Sequence, residues 1–181
     1  MTEPAEAEEF ARTHVNAGYR SRDDIIDDVV SYCEEPITHG EAEALVGRLW
    51  AQRLAEARTW PERTDPDRLT SVFDRLNERG IVARENFACC RNCGFSEIGD
   101  EARDDSRGFV FFHSQDAENA ADGHGLWLAY GTFSDSDDDI VAIGREVAAA
   151  LTEAGLPVVW DGTPEIRINI TPLDWKKRLP E

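Results

Sequence analysis

Cys89-Cys90-Arg91-Asn92-Cys93-Gly94 puts three of the chain's four cysteines within five positions. Thiols at CxxC spacing serve three chemistries. They ligate a soft metal, they cycle between dithiol and disulfide, or they pack as small apolar groups. A structural zinc site takes four thiolate or imidazole ligands. Cys90 and Cys93 have the spacing of one such pair. Cys89 points elsewhere on extended backbone, where neighbouring side chains face opposite sides, and joins only if a turn redirects it. The fourth ligand would be His113, His124 or a carboxylate. No second CxxC and no HxxxH occurs, so metal, redox and packing all remain open. A thioredoxin-like pair opens a long helix that lowers the first thiol's pKa. Gly94 and the short polar segment after it speak against that arrangement.

A second group is His113-Ser114-Gln115-Asp116, which follows the apolar run Gly108–Phe112. A strand end delivers polar side chains to a rim where ligands bind. His113 can act as a base near neutral pH, with Asp116 orienting it. The plainer reading puts His113 in the core, because it shares a strand face with Phe109 and Phe111, and leaves Gln115 and Asp116 to cap a following short helix. Ser114 faces away from His113, so a nucleophile would come from Cys89, Cys90 or Cys93. Tyr130, Trp160 and Asp161 also end strands and complete a tentative binding set with His113, Gln115 and Asp116. Asp161 equally fits a turn that accepts a backbone hydrogen bond. Asp135, Asp137, Asp139 and Glu146 echo a calcium loop, but Ile140 stands where its sharp turn needs glycine. These acids read as a helix start. The chain has no phosphate-binding glycine loop, no Gly-x-Ser-x-Gly and no His-Glu-x-x-His.

The elements that must position these groups follow from apolar spacing. Residues 1–20 have poor spacing and read as a poorly ordered start. Ile25, Ile26, Val29, Val30 and Cys33 form a helical stripe that Ser21 caps and Pro36 ends. Cys33 belongs to that core. Leu45, Val46, Leu49, Trp50 and Leu54 line a second helix, from about His39 to Arg58. A third opens at Thr64-Asp65-Pro66, carries Leu69, Val72, Phe73 and Leu76, and stops at Gly80. After Gly80 the period changes to alternation. Strands are expected at Ile81–Phe87, Gly108–Phe112, Leu126–Phe133, Val158–Trp160 and Ile166–Ile170. A weak helix is expected over 94–105 and a clear one from Ile140 to Leu151. This order predicts an α+β fold: an N-terminal helical segment packed on a ferredoxin-like βαββαβ sandwich with an added C-terminal strand. The divisions are 1–20, a helical region 21–80 and an α+β domain 81–181.

Composition bounds the setting. There are 37 acidic and 19 basic residues, for a net charge of −18. Net charge is −8 over residues 1–80 and −10 over 81–181, so the acidity is no tail. Such a surface repels phosphate backbones. No apolar run can span a membrane, and Met1-Thr2-Glu3-Pro4-Ala5-Glu6 is no secretory signal. A cytoplasmic setting with reduced thiols is expected. At 181 residues a chain buries roughly 70% of its unfolded surface. Neither metal nor disulfide is then needed for folding.

Seven pieces taken in order resemble a bacterial domain-of-unknown-function family over roughly residues 45–178. They are Thr59-Trp60-Pro61, Thr64-Asp65-Pro66-Asp67-Arg68-Leu69, Gly80-Ile81-Val82-Ala83-Arg84, Phe87-Ala88-Cys89-Cys90, Phe111-Phe112-His113-Ser114-Gln115-Asp116, Leu128-Ala129-Tyr130-Gly131 and Trp160-Asp161-Gly162. Ala117 stands where that family's pattern has Thr. The resemblance implies membership and brings no activity with it. At the level of fold alone, the βαββαβ order is similar to the ribonuclease E inhibitor B family, and fold does not fix function.

Two functions follow as expectations. One is a cytoplasmic, non-catalytic binding or regulatory module for a protein or small molecule, without a cofactor, nucleic acid or membrane. The other is a thiol- or metal-dependent enzyme or zinc protein that uses Cys89, Cys90 and Cys93 with His113.

Overall fold

The computed structural model describes residues 5–33, 36–134 and 136–180. Contacts divide the chain into two units, Met1–Thr64 with Lys176–Glu181, and Asp65–Trp175. The division falls at Thr64 rather than at Gly80. Its reason is that α4 (Asp65–Glu78) packs against β1 (Ile81–Arg84).

The first unit holds α1 (Ala5–Ala17), α2 (Arg22–Tyr32) and α3 (His39–Ala57). Residues 5–17 correct the expectation of a poorly ordered start. Ala7, Ala11 and Val15 recur every four residues and are buried. Their small side chains let α1 lie close to α2 and α3, whose Ile25, Ile26, Val29, Leu45, Val46 and Leu49 complete the core. Ser21 accepts from the Asp24 amide, and Thr38 forms a reciprocal capping box with Glu41. These contacts satisfy amides that the helix leaves orphaned. Val30 and Leu54 stand exposed instead of joining their stripes, while Cys33 packs against the core. Lys177 lies over the Tyr19 ring, and Arg178 donates to the carbonyls of Pro61 and Glu62.

The second unit is a five-stranded sheet with helices on both faces. Its other strands are β2 (Gly108–Phe111), β3 (Leu126–Thr132), β4 (Val158–Val159) and β5 (Ile168–Ile170), in the order β1-β2-β3-β5-β4. The mixed α+β class is as the sequence indicates. The ferredoxin-like arrangement is corrected. There a split βαβ keeps another strand between its parallel pair, whereas β1 and β2 are direct parallel neighbours here. The remaining pairs are antiparallel, with Phe109 opposite Gly131 and Phe111 opposite Ala129.

Alternation sends Ala83, Val110, Leu128 and Tyr130 to one face, covered by α4 and by α7 (Asp137–Glu153). Val82, Phe109, Phe111 and Ala129 point to the other. There they meet Phe87 and Ile98, the first residue of a 3₁₀ turn at Ile98–Glu101. α5 (Arg91–Glu97) precedes that turn and lays Phe95 edge-on against Phe109 and Phe111. α6 (Ser114–Ala121) links β2 to β3. Asp137–Asp139 open α7, as an acidic helix start requires; Asp135 lies outside the described residues. Among the described residues, no helix is long and apolar enough to cross a membrane.

Gly94 is the point of closest approach. A Cβ there would drive into the Phe111 ring, and Phe111 is fully buried. Gly94→Ala is expected to push α5 off the sheet and cost about 1–3 kcal/mol, as overpacking does. Urea denaturation of the variant beside the parent checks it.

Candidate functional site

The cysteine cluster is built by the loop between β1 and α5. The chain leaves β1 at Arg84 and turns through two residues in left-handed backbone, Asn86 at φ 47° and Ala88 at φ 60°. Asn tolerates this region, while Ala does not favour it. The loop is tied down on the far side of the turn. The Phe87 amide donates to the Phe112 carbonyl at 2.8 Å, and the Ser114 amide to the Ala88 carbonyl at 3.2 Å. Ser114 Oγ donates to the Cys89 carbonyl at 3.2 Å. The turn supplies what extended backbone could not: Cys89 swings back toward the helix.

As a result, the Sγ atoms of Cys89, Cys90 and Cys93 all lie within 4.8 Å of one another. Cys89 and Cys93 are 3.6 Å apart. Cys90 occupies the N-cap position of α5 and Cys93 lies in its first turn. The cluster opens only a short helix of seven residues, not the long one that a thioredoxin-like pair requires. Cys89 is exposed, and Cys90 and Cys93 are half-buried. The Cys93 amide, then the Cys93 thiol, hold the Cys90 thiol below its ordinary range. The Cys93 thiol is pushed up to about 12, first by its hydrogen bond to Cys90 and then by that to Cys89. Between Cys90 and Cys93, negative charge is therefore favoured on Cys90.

His113 is not part of that sulfur group, and neither is His124, which is exposed. The physical reason at His113 is a competing partner. Its Nε2 lies 3.0 Å from Asp116 Oδ2, and both side chains are buried. Asp116 Oδ2 also accepts from the His113 amide at 3.2 Å. Arg167 completes the knot by donating to both Asp116 oxygens at 2.9 and 3.2 Å. The guanidinium also lies over the Trp127 ring, 5.6 Å from its centroid. Burial pushes the His113 pKa down, and the opposing pull of Asp116 is offset by Arg167 and Arg91. His113 is thus a neutral core histidine that donates through Nε2. Its Nδ1 is buried without a hydrogen-bond partner among the described residues.

Tyr130, Trp160 and Asp161 are brought together, but their polar atoms are committed to the loop after β4. Tyr130 Oη donates to the Thr163 carbonyl at 2.7 Å, and Trp160 Nε1 donates to Tyr130 Oη at 3.0 Å. Asp161 accepts from the Thr163 amide at 2.9 Å, as the turn reading required. Both rings press on Gly144 of α7, where a Cβ would lie 2.8 Å from each. Gln115 is exposed on α6. The six tentative binding residues therefore form an ion-paired knot at His113 and Asp116, a loop anchor at Tyr130, Trp160 and Asp161, and one surface glutamine. Sequence reasoning missed Arg167, whose signal was a lone base beside an apolar strand.

Two α+β features define the protein at this point: a mixed sheet with helices on both faces, and three thiols gathered at a pinned loop. The chain belongs to a family described as a domain of unknown function (DUF6891), whose sequence profile matches residues 2–179. No curated protein and no solved structure matches the chain.

Asp116→Ala strands a buried imidazole N–H and a guanidinium, and is expected to cost about 3–5 kcal/mol. Thermal unfolding of the variant measures it. A loss below 1 kcal/mol would contradict the knot. The pH dependence has a definite sign. The folded-state pKa of His113 lies below its ordinary value of 6.5, and so does that of half-buried His14, chiefly through burial. The unfolded chain therefore takes up protons first. Stability from these groups is full above pH 6.5 and falls as pH drops below it. Denaturation midpoints across that window check the sign.

Proposed function

We propose that this chain is a non-catalytic binding module of the cytoplasm whose ligand is a soft metal ion, held by the thiolates of Cys89, Cys90 and Cys93. The observation that carries the reading is the convergence of three Sγ atoms within 4.8 Å, on a loop pinned by backbone hydrogen bonds at Phe87 and Ala88. A turn in costly left-handed backbone at Ala88 persists where surrounding contacts over-determine it, and such turns cluster at functional sites.

Thiolates select zinc and copper(I) over hard cations. Three protein ligands leave one position of a tetrahedral ion open to solvent or to an outside ligand. Cys89 is the exposed thiol of the three. Binding displaces thiol protons, so affinity rises with pH. The metal is an addition to the fold and not its foundation, because the core around Phe109 and Phe111 is closed by Phe87, Val82, Ile98 and Ala129. Among the described residues no complete catalytic constellation accompanies the thiols, and His113 Nε2 is engaged by Asp116. The net charge of −18 favours cations and repels nucleic acid.

Titration of the reduced, chelator-stripped chain with Cd²⁺ tests the reading. One ion per chain is expected, with thiolate-to-metal absorption in the ultraviolet. Cys89→Ser, Cys90→Ser and Cys93→Ser should each weaken binding, and the triple variant should abolish it. The stripped chain should still unfold cooperatively. Free metal at a hundredfold excess over its Kd should add about 2.7 kcal/mol of stability. Cd²⁺ binding that survives the triple substitution, or no binding by the parent, would overturn the proposal.

A further inference from the structure

The same three thiols differ in ways that metal binding does not require. The group spreads over 4.8 Å, yet Cys89 and Cys93 are 3.6 Å apart. A disulfide needs its sulfurs at about 2.05 Å, so this pair must close by only about 1.5 Å. Cys89 is exposed and sits on the loop rather than in α5, so rotation of its side chain brings the sulfurs together without breaking a helical hydrogen bond. Cys33, the fourth cysteine, packs against the α1–α3 core in the other unit.

We infer that Cys89 and Cys93 are an oxidation site that closes to an intramolecular disulfide on reaction with a hydroperoxide. Where the metal reading above holds, closure takes away two of the three ligands, so the thiol redox state gates metal capture. The chemistry balances in two steps. Cys89 Sγ, the exposed sulfur that a hydroperoxide reaches from solvent, attacks it, the O–O bond breaks, and the cysteine becomes a sulfenic acid while the peroxide's other oxygen takes the Cys89 thiol proton and leaves as water or an alcohol. Cys93 Sγ then attacks the sulfenyl sulfur, the S–O bond breaks, and the departing hydroxide takes the Cys93 thiol proton as water. Two thiols are oxidised and one peroxide is reduced. A bound metal engages the sulfur lone pairs that attack, so loading protects the pair. Oxidation in turn ends loading.

The test treats the full chain, reduced and stripped of metal, with stoichiometric hydrogen peroxide, then reads intact mass and maps peptides. The expected product has lost two hydrogens and carries a Cys89–Cys93 bridge. Cys89→Ser and Cys93→Ser should each form no intramolecular bridge, and Cys33→Ser should close it as the parent does. The oxidised chain should no longer take up Cd²⁺ stoichiometrically, and Cd²⁺-loaded chain should resist the peroxide. A bridge through Cys90 or Cys33, or sulfinic acid with no bridge, would overturn the inference. The two readings fail separately. A chain that closes the bridge but binds no Cd²⁺ when reduced contradicts metal binding alone. A chain that binds Cd²⁺ but closes no bridge contradicts the oxidation site alone.

Discussion

The close approach of α5 to the Phe111 ring is the contact on which the candidate site depends. Phe111 lies on a central strand, fully buried, with Phe87 against it edge-on at 5.8 Å and Phe95 at 5.4 Å. Edge-to-face pairs of this kind add to the burial of their area. Gly94 lets the helix backbone come down onto that ring. Once α5 is seated, its N-terminal turn fixes Cys90 and Cys93. Phe87 and the Ala88 carbonyl then fix the entry of the loop, which places Cys89. The thiols are gathered by aromatic packing and main-chain hydrogen bonds, so a metal would find its ligands near one another before it binds. Preorganisation of this kind lowers the entropy cost of association.

The knot of His113, Asp116 and Arg167 works on the same loop from behind. It sets the start of α6, and the first residue of α6, Ser114, holds Ala88 and Cys89 by their carbonyls. His113 thus helps to hold the cysteine loop while its own Nε2 stays on Asp116. A buried carboxylate accepting from an imidazole, an amide and a guanidinium is costly to break and well suited to fixing geometry. The same commitment explains why the strand-end polar groups do not converge on one pocket. Each had a nearer partner: Tyr130 and Trp160 in the loop at Thr163 to Ile166, Asp161 in its own turn.

Much of the fold was legible in the sequence. Apolar periodicity located α2, α3, α4, α7 and all five strands, and Ser21 marked the start of α2 as its cap. α1 escaped because its buried stripe is Ala7, Ala11 and Val15, which carry little hydrophobic signal despite packing closely. The unit boundary was placed at Gly80 because the period changes there, but burial follows packing partners, and the stripe of α4 found β1. Strand order was not legible, since apolar runs do not say which edge a strand joins. At the site, CxxC spacing showed Cys90 and Cys93 directly. The return of Cys89 depends on positive φ at Asn86 and Ala88, and an alanine there gives no warning. His113 was visible both as a ligand candidate and as a core residue, and Arg167 decided between them from 54 residues away in the chain.

The proposed metal site requires the three thiols to act together in the arrangement that the fold gives them. X-ray absorption at the metal edge of the zinc- or cadmium-loaded chain tests it most directly, because the first shell reports ligand type and number. The expected result is a shell dominated by three sulfur scatterers, completed by one light atom. A shell of nitrogen and oxygen, or one with a single sulfur, would contradict it.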